Sequence, residues 1–331
     1  MTARDVEPEL PWAPAALAEP WRALMMNTAV LLALPEKDAA WVERLQAVAA
    51  RLRQLTAHDP DVALYMMLQA AGNEAQHYSA HHAMACAVVA ELCTAWLQWA
   101  PAEADALLHA ALSMNIGMLG LQDSLAAQAS ALTADQRRRV DAHPEASAEL
   151  LRNAGVSEPL WLETVLRHHR PMREGEQADQ GNTLQRLAML LQRVDVFTAK
   201  LSRRKTRAAA SPARAARDAC LDASGHPDAI GATLLRVIGL YPPGCYVQLA
   251  NGDSAVVLRR GAKAHTPLAG CLRRPDGAVL TRPQLRDTAV PAHAVRRSLL
   301  ASDLKMVLNH QRVLSVLAPA RVAREVPAPV C

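Results

Sequence analysis

Between Trp21 and Ile238 the apolar residues recur at spacings of three and four between proline breaks, and past Tyr241-Pro242-Pro243-Gly244 they cease to do so. A 3.6-residue period buries one face of a helix, so most of this chain must solve the problem of packing helices against one another. Pro20, Pro35 and Pro60 separate three expected helices, Trp21–Leu34, Lys37–Leu55 and Asp61–Ala70, which form an N-terminal layer. Residues 1–19 are rich in proline and glutamate and read as a loose arm. A long helix is expected from Ser79, a plausible cap, to Trp99, with Pro101 ending the run. Shorter helices are expected at Ala102–Asn115, Thr133–Val140, Pro144–Ala154, Pro159–His168, Leu184–Leu201, Pro212–Ala223 and His226–Ile238. Thr133 and Gln136 hold the two positions of a capping box. With a single phenylalanine, Phe197, the core must come from Leu, Ala, Val and Met, which favour helices.

The period then shifts to two. Cys245–Leu249 alternates, Asn251-Gly252 is a strong hairpin signal, and Ser254–Leu258 returns. Further strands are expected at Leu268–Leu272 and Ala278–Leu280, joined by the turn Pro275–Gly277. A short helix is expected at Ser302–His310, followed by a frayed tail from Ala318. The reading is a mainly α chain in three parts: an N-terminal helical region (1–75), a helical domain (76–240), and a small β-containing unit with its tail (241–331).

Charge and cysteine content narrow the function classes. The net charge of +4 is modest, and its basic excess is concentrated in Arg203–Arg217. No aromatic side chains interleave with that cluster, so it reads as a solvated surface rather than a nucleic-acid platform. The six cysteines include no CxxC pair, and Cys86 and Cys93 read as small core residues of a protein in a reducing cytoplasm. The N-terminus lacks the basic and long apolar regions of a signal peptide, and no stretch approaches the roughly 18 apolar residues of a membrane span. A cytoplasmic protein with no membrane partner is expected.

The histidines are where chemistry would reside. His81 and His82 sit early in the long helix, His143 opens a helix before Pro144, His168-His169 close one before Pro171, and Asp195 lies in the apolar helix Leu184–Leu201. Neutral imidazoles and one carboxylate converging from several helices are the donor set of a metal site. Adjacent residues on a helix point about 100° apart, so His168 and His169 can share an ion only at a helix end, where the sequence places them.

In this order, an early His on a long helix, an apolar helix ending at a glycine bend, His143-Pro144, His168-His169 and Val194-Asp195-Val196-Phe197 resemble the HD-GYP branch of HD-domain phosphohydrolases. The resemblance spans roughly Ser79–Ile238 and implies an HD-domain-like helical bundle that cleaves cyclic di-GMP with bound metals. It implies metal ligation by His82 (His81 being the less well phased choice), His143, His168, His169 and Asp195. The departures fall in Leu107–Asp123. The defining His-Asp pair matches Met114-Asn115, and the family's following lysine matches Met118. After His169 the chain runs RPMREGEQADQGN, with no Tyr-Pro.

In the family the lost aspartate bridges two metals and helps to acidify the attacking water. Asn115 is neutral and leaves two close cations unscreened. Met114 offers only a soft thioether, and Met118 removes an ammonium that would meet the phosphate. A catalytically degenerate protein with a regulatory or scaffold role in cyclic di-GMP-type signalling is therefore expected, its partner a cyclic dinucleotide, a signalling protein or a second copy of the chain. The alternatives are a residual metal-dependent phosphodiesterase that uses the remaining ligands His143, His168, His169 and Asp195, with one divalent transition metal (Zn, Fe or Mn), and a nucleotide- or nucleic-acid-binding module. Asp195 without an ion requires a partner such as Arg193, Lys200 or a protonated histidine.

Overall fold

Helix α4 (Tyr78–Leu97) has almost no polar face: Tyr78 to Met84 and Cys86 to Ala90 are all buried. A helix apolar on all sides must be surrounded, and α4 is packed by α1 (Ala18–Leu32), α2 (Trp41–His58), α3 (Pro60–Asn73), α5 (Pro101–Ser113), α6 (Leu119–Ala127), α10 (Thr183–Leu201) and α12 (Ala229–Ile238). Between them lie α7 (Ala134–Asp141), α8 (His143–Asn153), α9 (Pro159–Arg167) and α11 (Pro212–Cys220). The structure, a computed structural model, describes residues 13–35, 39–73, 77–170, 183–201, 212–220, 227–304 and 306–317. The stretch 171–182, most of the Arg203–Arg217 cluster, residues 1–12 and the tail from Ala318 lie outside the described residues.

The chain is thus mainly α with a small C-terminal β unit. Strands β1 (Tyr246–Leu249), β2 (Ser254–Arg259), β3 (Leu268–Arg273), β4 (Val279–Asp287) and β5 (Val295–Leu299) form one antiparallel sheet in the order β4-β3-β2-β1-β5. Val256, Leu258, Leu272 and Leu299 join the core shared with the helices. Cys245, Val247, Leu249, Ala255, Val257 and Ala269 form a second cluster, packed by Leu68 of α3 and by Val295.

Several element boundaries differ from expectation. The expected arm is ordered from Pro14: a 3-10 turn (Pro14–Leu17) leads into α1 with Leu17 and Ala18 buried. Pro20, read as a break, sits in the first turn of α1, where a backbone N–H has no intrahelical acceptor to lose. Helix α6 begins inside what reads as a glycine bend. Strand β4 is longer than expected and contains Pro283, tolerated because β4 is an edge. Strand β5 has exposed Arg296 and Arg297 that mask its alternation. The helix expected at Ser302–His310 is instead two short ones, α13 (Ala301–Leu304) and α14 (His310–Leu314). By length and mean hydropathy Tyr78–Leu97 and Pro101–Ala127 are each apolar enough to cross a membrane, but 78% and 61% of their apolar windows are buried inside the fold, as in core helices.

The β unit is fastened to α3 by ion pairs. Arg259 donates two 2.9 Å hydrogen bonds to the carboxylate of Asp59, whose side chain is 1% exposed, and Arg260 Nε donates to Asp61 at 2.5 Å. Asp59 also accepts from the Val62 amide at the start of α3. Removing one partner of a buried pair strands the other charge. Arg259→Ala should therefore lower stability by about 3 kcal/mol in urea unfolding, whereas exposed Arg296→Ala should change it by less than about 0.5 kcal/mol. Equal effects would show that the seam does not hold the sheet to the bundle.

A candidate metal centre

Four helices deliver the cluster. His82 stands in the second turn of α4, and Asp195 faces it from α10: His82 Nε2 lies 2.7 Å from Asp195 Oδ1. Of the partners expected for Asp195, it is therefore a histidine that takes the role. Arg193 instead pairs with Asp228, and Lys200 with Asp218. Thr198, one turn beyond Asp195, lies 3.0 Å from Cys86 Sγ. Cys86 Sγ is in turn 3.6 Å from His82 Nε2.

His143 opens α8, and His168 caps the C-terminus of α9, where the chain leaves helical geometry and can aim successive rings at one point. The His143 Nδ1–H donates to Val140 O at 2.5 Å, and the His168 Nδ1–H donates to Val165 O at 2.6 Å. A carbonyl only accepts, so each Nδ1 carries the proton and each Nε2 presents a lone pair. Those two Nε2 atoms face each other at 3.2 Å. His169 completes the group, its ring centroid 4.1 Å from that of His168 and 5.1 Å from that of His143. The donor atoms form two sets, His143/His168/His169 and His82/Cys86/Asp195, within each of which all lie within 4.8 Å of one another. Asp195 Oδ2, 3.9 Å from His169 Nε2, stands between the sets.

The electrostatics separate the histidines. Burial pushes His168 down to about 3 and also lowers His143, so both are neutral at physiological pH. Burial also opposes charge on His82, but Cys86 and the hydrogen-bonded Asp195 carboxylate outweigh it and hold His82 well above the usual histidine value. Burial would raise Asp195, yet the His82 contact and the neighbouring imidazoles keep it well below the usual carboxylate range. Two lone pairs facing at 3.2 Å repel unless an electrophile lies between them. Their separation is close to the roughly 3.3 Å edge of a tetrahedron of nitrogens about 2.0–2.1 Å from zinc. Backbone carbonyls holding the far ring nitrogens are the usual outer partners of metal-bound histidines.

The bend at Gly117 lies against α8. Met114 is 1% exposed within the main hydrophobic core, and Asn115 is 5% exposed. The 3-10 turn Ile116–Met118 packs on α8, where the Gly117 amide donates to Ser147 Oγ at 3.0 Å. A Cβ at Gly117 would lie 2.7 Å from the Ser147 amide nitrogen, so only glycine fits. Met118 helps to wall a cavity of about 880 Å³ with Gly120, Asp123 and Arg139, and none of the clustered histidines lines it. The sequence reading brought His82, His143, His168, His169 and Asp195 forward, and the structure gathers all of them. It missed Cys86 and Thr198, whose signals were spacing alone: Cys86 lies one helical turn after His82, and Thr198 three residues after Asp195.

No family model matches the chain, and no curated protein matches it in sequence. Among solved structures it resembles Bd1817, a HDG"Y"P protein from Bdellovibrio bacteriovorus, with a TM-score of 0.51 and 13% identity, over 70% of this chain and 74% of that one. The fold is thus HD-GYP-like.

The protonation pattern gives the metal-free protein a stability optimum near neutrality. Below the ordinary histidine value of 6.5 the unfolded chain binds protons that buried His143 and His168 refuse, so stability falls on acidification. The His82 contribution is complete below 6.5 and drains away as pH rises through its elevated folded value. That of Asp195 is present above the ordinary 3.8. In chelator, the melting temperature should fall on both sides of neutrality, with a shallower acid limb in His168→Gln and a shallower alkaline limb in His82→Gln. Limbs unchanged in both variants would contradict this assignment.

Proposed function

We propose that this chain is a catalytically degenerate HD-GYP-type protein that holds a divalent transition metal on His143, His168 and His169 and has a regulatory or scaffold role in cyclic di-GMP-type signalling. What carries the reading is the contrast within the site. His143 and His168 have their outer nitrogens anchored, while Met114 is packed into the apolar core and Asn115 brings no charge. An ion there would polarise a bound water or ligand oxygen. Hydrolysis by paired metals also needs an anion between the cations and a cation on the phosphate, and positions 115 and 118 supply neither. In this reading the protein binds a cyclic dinucleotide or a signalling protein, alone or as a homodimer, and passes the bound state on without turnover. The cavity of about 880 Å³ beside the bend falls in the size range of small-molecule sites, and Arg139 offers it a cation for phosphate.

A second reading, a residual phosphodiesterase with one metal, is favoured by the converging imidazoles and by the exposure of His169, at 41% of its side chain. One experiment separates the two. Protein purified without chelators should contain zinc, iron or manganese, lose most of it in His143→Ala, and turn over neither cyclic di-GMP nor pGpG. Turnover that disappears in His143→Ala would establish the second reading; absence of any transition metal would exclude both.

A further inference from the structure

Charge is unevenly distributed along this chain. Residues 241–331 hold 13 of its 36 Lys and Arg but only 5 of its 32 Asp and Glu, a net of +8, whereas residues 1–240 are net −4. Segregation of this kind points to a polyanionic partner. Part of the excess is neutralised within the fold. Arg259 and Arg260 pair with Asp59 and Asp61 of the bundle, and Arg286 Nε donates to buried Asp253 at 3.1 Å. Arg274, Arg282, Arg296 and Arg297 are exposed and have no carboxylate partner among the described residues. We propose that the β unit docks double-stranded nucleic acid through its phosphates, using these four arginines and Arg286, without reading base sequence.

On the edge strand β4, Arg274 Nη2 and Arg286 Nη2 both donate to the side-chain oxygen of Gln284, at 3.3 and 3.0 Å. Two guanidiniums thus converge on one neutral oxygen, a position that a phosphate oxygen fills with stronger, charge-assisted bonds. Arg282 joins them: it and Gln284 are exposed on either side of buried Pro283, so both stand on one face of the strand. The opposite edge, β5, presents Arg296 and Arg297, the latter donating to neutral Gln248 at 2.9 Å. Three strands separate the two edges, which sets them roughly 19 Å apart across the sheet at about 4.8 Å per strand. An anion that engages both must be extended and charged along its length, as a duplex backbone is at one charge per about 1.7 Å. No Tyr, Trp or Phe of the β unit is exposed among the described residues. That removes both the stacking surfaces that hold single strands and the rings that anchor proteins at bilayer interfaces. What is left is phosphate contact with a duplex, which positions the ligand but carries no sequence information. The inference depends neither on the signalling role nor on an ion at the triad.

Fluorescence anisotropy of full-length protein with short labelled DNA duplexes provides the test. Two duplexes of unrelated sequence should bind equally, and affinity should fall about 10²–10³-fold between roughly 50 and 200 mM salt, as about five phosphate contacts imply. Joint Arg282→Ala, Arg296→Ala and Arg297→Ala should weaken binding at least about tenfold and flatten the salt dependence. Joint Arg137→Ala and Arg152→Ala, at exposed positions of the bundle, should change neither. Should circular dichroism show that the triple variant does not fold, the single variants carry the same test, each lowering the salt slope by about one. Vesicles of phosphatidylcholine and phosphatidylglycerol should not displace the duplex. No duplex binding at low salt, binding that survives loss of the β-unit arginines, an equal loss in the bundle variant, or displacement by the vesicles would each overturn the proposal.

Discussion

A helix without a solvent face has to be enclosed, and α4 organises this molecule for that reason. Seven helices from both sides of the sequence pack on it. Enclosure fixes the fate of the few polar groups α4 carries. His82, 1% exposed, has to find a partner inside the protein, and α10 supplies Asp195. The contact that makes His82 tolerable in the core is thus also the one that brings a carboxylate to the ends of α8 and α9.

His143 and His168 are oriented by the backbone. The carbonyls of Val140 and Val165 each take the Nδ1 proton of the histidine three residues on, which fixes ring orientation and tautomer together. Neither contact requires a ligand, so the Nε2 lone pairs are aimed before anything binds. Preorganisation of this kind avoids ordering the side chains at the moment of binding. It also costs stability, since neutral donors buried without partners lose their hydration.

Much of this was legible in the residues, and the limits have physical causes. Helices with a clean three-and-four spacing, such as α2 and α10, could be read because one face is buried and the other is wet. Strand β5 could not, since Arg296 and Arg297 follow one another and break the alternation on which a strand signal depends. His143, His168, His169, His82 and Asp195 stood out because each occupies a helix start, a helix end or an apolar run where a polar residue needs a reason. Cys86 did not stand out: a small apolar-looking residue in an apolar helix gives no signal until Asp195 and Thr198 arrive from more than a hundred positions away. The pairing of Asp195 with His82 rather than Arg193 or Lys200 likewise depends on which face of α10 meets α4, which spacing alone left open.

In the proposed reading Met114, Asn115 and Met118 act together, because each lacks a different group that paired-metal chemistry requires, while imidazole donors remain beside them. In the proposed function an ion sits between the facing imidazoles and none at the amide of Asn115. Anomalous X-ray scattering from crystals of protein purified without chelators, recorded above and below the absorption edge of the bound metal, tests this most directly. The predicted result is a peak between the Nε2 atoms of His143 and His168, with none beside Asn115. A peak coordinated by Asn115, or no peak between the two histidines, would contradict the account.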